Sequence, residues 1–189
     1  MNKLTIGIAD MKMARNEGVL ITYALGSCIG ICLYDPFIRL GALVHIMLPI
    51  NMETNRTSPL KYADTGIRLT LSKMEQMGAR RAHIVAKIAG GAKMFDVAGN
   101  GSLGNIGQRN IDSVHHVLQQ ERIRLLREDV GGSTARTLLF DVATGEGCIK
   151  IYGKAELNRG ELLADHQISQ TLINRREQTR RKQPPAKLK

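Results

Sequence analysis

The 189 residues contain no tryptophan, three Phe and four Tyr. So few aromatic side chains leave no surface on which successive nucleic-acid bases could stack. The core must therefore be built from Ile, Leu, Val, Met and Ala. Cysteine is equally sparse: three residues, an odd number with no CxxC pair, cannot form a disulfide framework. That fits a reducing compartment and leaves the thiols free. Also missing are a run of roughly 18 apolar residues, the least that spans a bilayer as a helix, and the apolar stretch of a secretory leader. The expected location is the cytoplasm, with no membrane insertion.

Acidic residues are scarce too, which gives a net charge of +10. The excess is not spread evenly. Between Arg175 and Lys189 there are seven Lys or Arg against one Glu, so this short segment carries six of the ten charges. The body retains about +4 with no aromatics interleaved among its basic residues, and specific nucleic-acid binding is not expected of it. The segment reads as a solvated basic appendage, disordered towards its end.

The stretch from Thr22 to Pro49, TYALGSCIGICLYDPFIRLGALVHIMLP, holds the chemistry. Cys28 to Tyr34 is short, apolar and partly β-branched, Asp35-Pro36 has turn chemistry, and Leu40 to Leu48 is apolar again, so a hairpin is expected. A turn centred between Pro36 and Phe37 sets Cys28 opposite His45. Moving the centre by one residue sets Cys28 opposite Met47 and leaves His45 a diagonal neighbour on the same face, at about 7 to 8 Å. Only a slip of opposite parity separates the two onto different faces. A thiol beside an imidazole is a chemical unit, because the imidazole can take the thiol proton and return it to a leaving group. Gly26 and Ser27, two small residues before Cys28, let the backbone turn and a substrate approach, and amides at such a turn can hold an oxyanion. Against this, buried cysteine is common as a small hydrophobe. Thr22 lies six residues before Cys28, about 20 Å if fully extended, so the two share a site only if the glycine bends the chain. By strand preference alone Thr22 reads as structural.

Elsewhere, Thr5 to Ala9 and Val19 to Tyr23 read as strands separated by a charged segment, Asp10 to Gly18. Asn51 to Lys61 reads as a loop over the site. Tyr62 to Met77 and Ile106 to Gln120 have three-to-four apolar spacing and are expected helices. His83 to Ile88, Arg122 to Val130, Arg136 to Val142 and Cys148 to Tyr152 are expected strands, with Cys148 in the core. His83 reads as structural, and the adjacent His115 and His116 point to different faces of their helix. Gly90-Gly91 marks a tight turn or a close backbone approach beside a site. Gly99, Gly101 and Gly104 match GxGxxG but lack the βαβ context of a dinucleotide site. Glu156 to about Arg180 is helical in pattern. The whole is an α+β chain, with a domain over residues 1–154 followed by a helix and basic tail over 155–189.

Read this far, the sequence resembles the chemoreceptor glutamine deamidase family, CheD, of bacterial chemotaxis. The resemblance runs from about Leu4 to Ile151 and rests on TYALGSCIGICLYDP, GALVHIMLP, AKIAGGAKMF, IGQRN and a DVGG...R...F...TG pattern, in that order. It implies a layered α/β/β sandwich with helices on one side of mixed sheets. It also implies hydrolysis of glutamine side-chain amides on methyl-accepting chemotaxis receptors, through a threonine, a cysteine and a histidine that fall on Thr22, Cys28 and His45. A regulatory phosphatase, CheC, is implied in organisms that have one. The family needs no cofactor and no metal, and action as a monomer is expected. Two rival readings are a non-catalytic adaptor that binds receptors or CheC, and a basic nucleic-acid-binding module whose binding is lost with Arg175 to Lys189. A zinc site on Cys28, Cys32, His45 and Cys148 is disfavoured, since Cys28 and Cys32 sit about 13 Å apart along one strand.

Overall fold

The central hairpin forms as an antiparallel pair, Ile29–Asp35 with Leu40–Ile46, buried along its whole length on both faces. A strand covered on both sides must be apolar throughout, which is why this run shows no alternation. Its turn spans four residues rather than two. The buried Asp35 carboxylate accepts the Phe37 N–H at 3.0 Å and Arg39 takes a left-handed φ of 46°. Asp35 therefore pairs with Leu40, the centre falls between Phe37 and Ile38, and the second of the two expected registers is the one adopted.

A computed structural model describes residues 2–52, 58–94 and 105–151. In chain order their strands and α-helices are β1 (Lys3–Ile6), β2 (Asp10–Arg15), β3 (Val19–Leu25), β4 (Ile29–Asp35), β5 (Leu40–Ile46), α1 (Ala63–Gln76), β6 (Val85–Gly90), α2 (Ile106–Gln120), β7 (Arg124–Val130), β8 (Arg136–Asp141) and β9 (Gly147–Ile151). They make two mixed sheets, one ordered β1-β3-β8-β9 and the other β2-β5-β4-β6-β7. The expected helix from Glu156, the basic tail and the glycines from Gly99 to Gly104 lie outside the described residues, as do positions 53–57 of the expected loop.

Side-chain alternation sorts the core into two layers. Ile29, Ile31, Leu33, Ala42, Val44 and Ile46 face α1 and α2, where Ile67, Leu71, Met74, Ile111, Val114 and Leu118 meet them. Cys32, Tyr34 and Leu43 point the other way, into a second core with Leu20, Leu25, Leu138 and Phe140 of the four-stranded sheet. The five-stranded sheet is thus the middle layer of an α/β/β sandwich, as expected for the α+β class. Glycine permits the close approach of the two sheets at one point. A Cβ on Gly30 would lie 3.0 Å from both Leu25 Cδ1 and Leu138 Cδ2, and 3.2 Å from Thr22 Cγ2.

One element departs from expectation. Asp10 to Gly18, read as a charged separator, contains β2, which pairs with β5 at the edge of the middle sheet. Met11 and Met13 pack on the helix-side core while the intervening Lys12 is exposed. Charges along an edge strand hinder pairing with other chains, and they also hide the strand from a reading of apolar runs. The strand expected from His83 begins instead at Val85, with His83 in a short 3-10 turn near the Asp35 carboxylate.

Candidate active site

The alternation that builds the second core also builds the site. On β5 the residue after Val44 turns away from the helices, so His45 shares the inter-sheet face with Leu43 and is only 2% exposed. On β3, Thr22 shares the opposing face with Leu20 and is fully buried. The sheets meet at these two residues: Thr22 Oγ1 lies 2.7 Å from His45 Nδ1.

The proton positions follow from the neighbours. Thr22 Oγ1 also lies 3.0 Å from the Ile6 carbonyl of β1, an oxygen that can only accept. The single hydroxyl proton therefore goes to Ile6, and Nδ1–H of His45 donates to Thr22. This leaves the Nε2 lone pair free, and Nε2 is a buried atom with no hydrogen-bond partner. Burial without a compensating negative charge pulls the imidazole pKa down to about 4, so His45 is neutral at physiological pH.

Cys28 reaches the same face from a bend between β3 and β4. The paired register ends at Ile29 opposite Ile46, with Gly30 opposite His45, and continuing it by one residue sets Cys28 towards Met47. The bend arises earlier than expected. β3 loses register with β8 between Thr22 and Leu25, and Ala24, not Gly26, takes the left-handed backbone with φ of 54°. The Cys28 thiol is partly buried, and its pKa is raised by that burial, offset in part by its own backbone amide. Cys32, four residues further along, is 1% exposed and pushed up to about 12 by burial despite the nearby Lys87 ammonium. Cys148, expected in the core, is only partly buried. Of the two partly accessible cysteines, Cys28 is the one that packs against the inter-sheet core, on the face that His45 shares.

The backbone around Cys28 is held at three successive carbonyls. Gly26 O accepts from Ala92 N at 2.7 Å, Ser27 O from Asn110 Nδ2 at 2.8 Å, and Cys28 O from Gly91 N at 2.8 Å. Gly26 N–H is itself occupied, by Ala24 O at 2.8 Å. The amides of Ser27 and Cys28 donate to no other residue among those described. Gly90-Gly91 supplies the close approach that the sequence offered as one of two roles, since a Cβ on Gly90 would lie 2.1 Å from Cys28 O. Asn110 closes the IGQRN block that carries part of the resemblance, but the sequence alone assigns it no role. It stands four residues before Val114 on the buried stripe of α2, where a polar side chain needs a partner. Among the described residues no three His, Cys, Asp or Glu side chains converge as metal ligands, and no helix is long and apolar enough to cross a membrane.

The site joins an oriented neutral imidazole and a partly buried thiol between the two sheets of an α/β/β sandwich. The family model described as CheD chemotactic sensory transduction matches residues 47–151, beginning two residues after His45. A Syntrophomonas wolfei protein named probable chemoreceptor glutamine deamidase CheD is 47% identical over 154 residues, 81% of this chain and 96% of that protein. Proteins of the same name from Clostridium botulinum and Desulforamulus reducens are 44% and 43% identical over 152 residues, 80% of this chain and 94% and 92% of theirs. The chain belongs to the CheD family.

Proposed function

We propose that this protein is a chemoreceptor glutamine deamidase in which Cys28 is the nucleophile, His45 the general base and acid, and Thr22 the group that orients His45. The observation that carries the reading is the Thr22 Oγ1 to His45 Nδ1 hydrogen bond, which leaves Nε2 unprotonated on the face shared with Cys28. A thiol above its usual pKa and an imidazole below its own rest as a neutral pair, so proton transfer accompanies attack rather than preceding it.

In the first step the Cys28 sulfur bonds to the glutamine side-chain carbonyl carbon while its proton passes to His45 Nε2. The oxyanion is held by the N–H groups of Ser27 and Cys28, while the space beside Gly26, expected to admit substrate, is taken by the Met94 side chain. Collapse breaks the C–N bond, His45 returns the proton, and ammonia leaves a glutamyl thioester. Water, deprotonated by the same histidine, then cleaves the C–S bond to give glutamate and the free thiol. Each turnover places one negative charge on a receptor helix, where it alters repulsion between neighbouring helices.

The receptor substrate is supported by the names of the relatives, and work in the cytoplasm, action as a monomer and regulation by a CheC-type phosphatase belong to the same reading through the family resemblance. The test is incubation with a chemoreceptor cytoplasmic fragment from the same organism, following the mass change of glutamine to glutamate. Conversion by the native protein and its loss in Cys28→Ala and His45→Ala is the expected result. Conversion that survives Cys28→Ala would refute the assignment, and no conversion by folded native protein would leave the adaptor reading.

A further inference from the structure

We infer that Asn110 is a positioning residue for the deamidation step, holding the Ser27–Cys28 peptide so that the Cys28 N–H faces the reacting carbonyl. The inference rests on the deamidase reading and concerns a residue that touches neither thiol nor imidazole.

Asn110 is fully buried on the side of α2 that faces the middle sheet. Its Nδ2 lies 2.8 Å from Ser27 O and 2.9 Å from Met47 O. Both neighbours are carbonyl oxygens, so only the amide nitrogen can face them, and each of its hydrogens has one acceptor. One side chain thereby ties the loop that carries the nucleophile to the exit of the strand that carries the base.

The remaining acceptor carries a cost. Asn110 Oδ1 is buried with no partner. A buried unsatisfied polar atom costs about 1 to 3 kcal/mol, and an aliphatic side chain would continue the apolar stripe of α2 without it. What such a side chain could not do is hold the two carbonyls.

Holding the Ser27 carbonyl has a directional effect. The chain has no cis peptide bonds among its described residues. In a trans peptide the C=O of one residue and the N–H of the next point opposite ways. Asn110 approaches Ser27 O from the helix side of the middle sheet, so Cys28 N–H is aimed to the side on which His45 lies. Ala92 N does the same for the preceding peptide by holding Gly26 O at 2.7 Å, which aims the Ser27 N–H. Two amide donors are thus fixed beside the nucleophile before substrate arrives. Such preorganisation is what makes an oxyanion site effective, because no dipole has to be reoriented during the reaction.

The experiment compares full-length native protein with Asn110→Ala and Asn110→Ser, reading kcat and KM for receptor-fragment deamidation and, separately, the rate at which iodoacetamide alkylates Cys28. Alkylation uses the thiol and the imidazole but forms no oxyanion. Loss of an oxyanion donor lowers kcat on the order of 10²-fold, so that fall is expected, with KM and the alkylation rate within about 3-fold of native. The serine variant, which keeps one short donor, is expected between alanine and native. A kcat within about 3-fold of native in both variants overturns the inference. So does a parallel fall in alkylation and kcat, which would place the effect on the thiol and imidazole. Failure of both variants to fold also overturns it, making Asn110 a stability residue. Inactive native protein would instead reject the deamidase reading, an outcome distinct from all of these.

Discussion

Thr22 and His45 are hydrogen-bonded across the gap between two sheets, Oγ1 to Nδ1 at 2.7 Å, and the Ile6 carbonyl decides which of them donates. Because the hydroxyl proton is committed to Ile6, the ring is fixed as the Nδ1–H tautomer. The first prediction follows. Thr22→Val keeps the shape but leaves Nδ1–H unpaired, and kcat for receptor deamidation should fall on the order of 10²-fold, while Thr22→Ser, which keeps the hydroxyl, should remain within about 10-fold of native. Activity close to native in Thr22→Val would show that the hydroxyl does not orient the imidazole.

The depressed histidine pKa gives a second prediction, for activity. A base that stays neutral down to about pH 4 should leave kcat/KM level between pH 7 and pH 6, where an ordinary histidine would begin to protonate. A midpoint at the usual histidine value in the pH profile of the native protein would contradict the buried, uncompensated imidazole.

The same group makes stability depend on pH. Between the ordinary value of 6.5 and about 4 the unfolded chain binds a proton at His45 that the folded chain does not. Stability from this source is therefore complete above 6.5 and declines as pH falls through that window. Urea midpoints of native protein and His45→Gln, measured at pH 5 and pH 7, should show a smaller acid loss in the variant.

Thiol chemistry should separate the cysteines. Cys28 is partly accessible, whereas Cys32 is buried and its pKa raised to about 12. Iodoacetamide near neutral pH should label Cys28 and leave Cys32 untouched until the protein is unfolded, as peptide mass would report. Removing His45 should slow Cys28 labelling.

Gly90, behind Cys28, makes the tightest backbone approach of any glycine among the described residues. In Gly90→Ala the new Cβ would meet Cys28 O at 2.1 Å, at a backbone φ of +119°. The loop must move, with an expected destabilisation of about 1 to 3 kcal/mol and loss of deamidation even in the folded fraction. Unchanged thermal midpoint and activity would mean that the loop is not held against β6.

The hairpin and the shared face of Cys28 and His45 were legible because they depend only on two apolar runs and the parity of the turn. The register was not, because it turned on whether Arg39 would adopt a left-handed φ, which an arginine seldom does. β2 escaped notice because Asp10, Lys12 and Arg15 break the apolar pattern at a sheet edge. Thr22 shows the limit of residue-level reading most plainly. Its strand preference says nothing of the imidazole it meets, a residue 23 positions away on another sheet, and only the family resemblance suggested that role. Asn110 sat in view on a buried stripe, but its two acceptors are carbonyls, whose directions no sequence encodes locally.

The layered packing has one more implication. His45 belongs to the middle sheet and Thr22 to the outer one, so the hydrogen bond that fixes the imidazole exists only after the two sheets have docked. The middle sheet with its helices carries Cys28 and His45, but the partner that fixes the ring belongs to the other sheet. The tautomer on which the proposed chemistry depends is thus a property of the docked sandwich, and loosening the contact between the sheets would release the imidazole while leaving the hairpin that carries it intact.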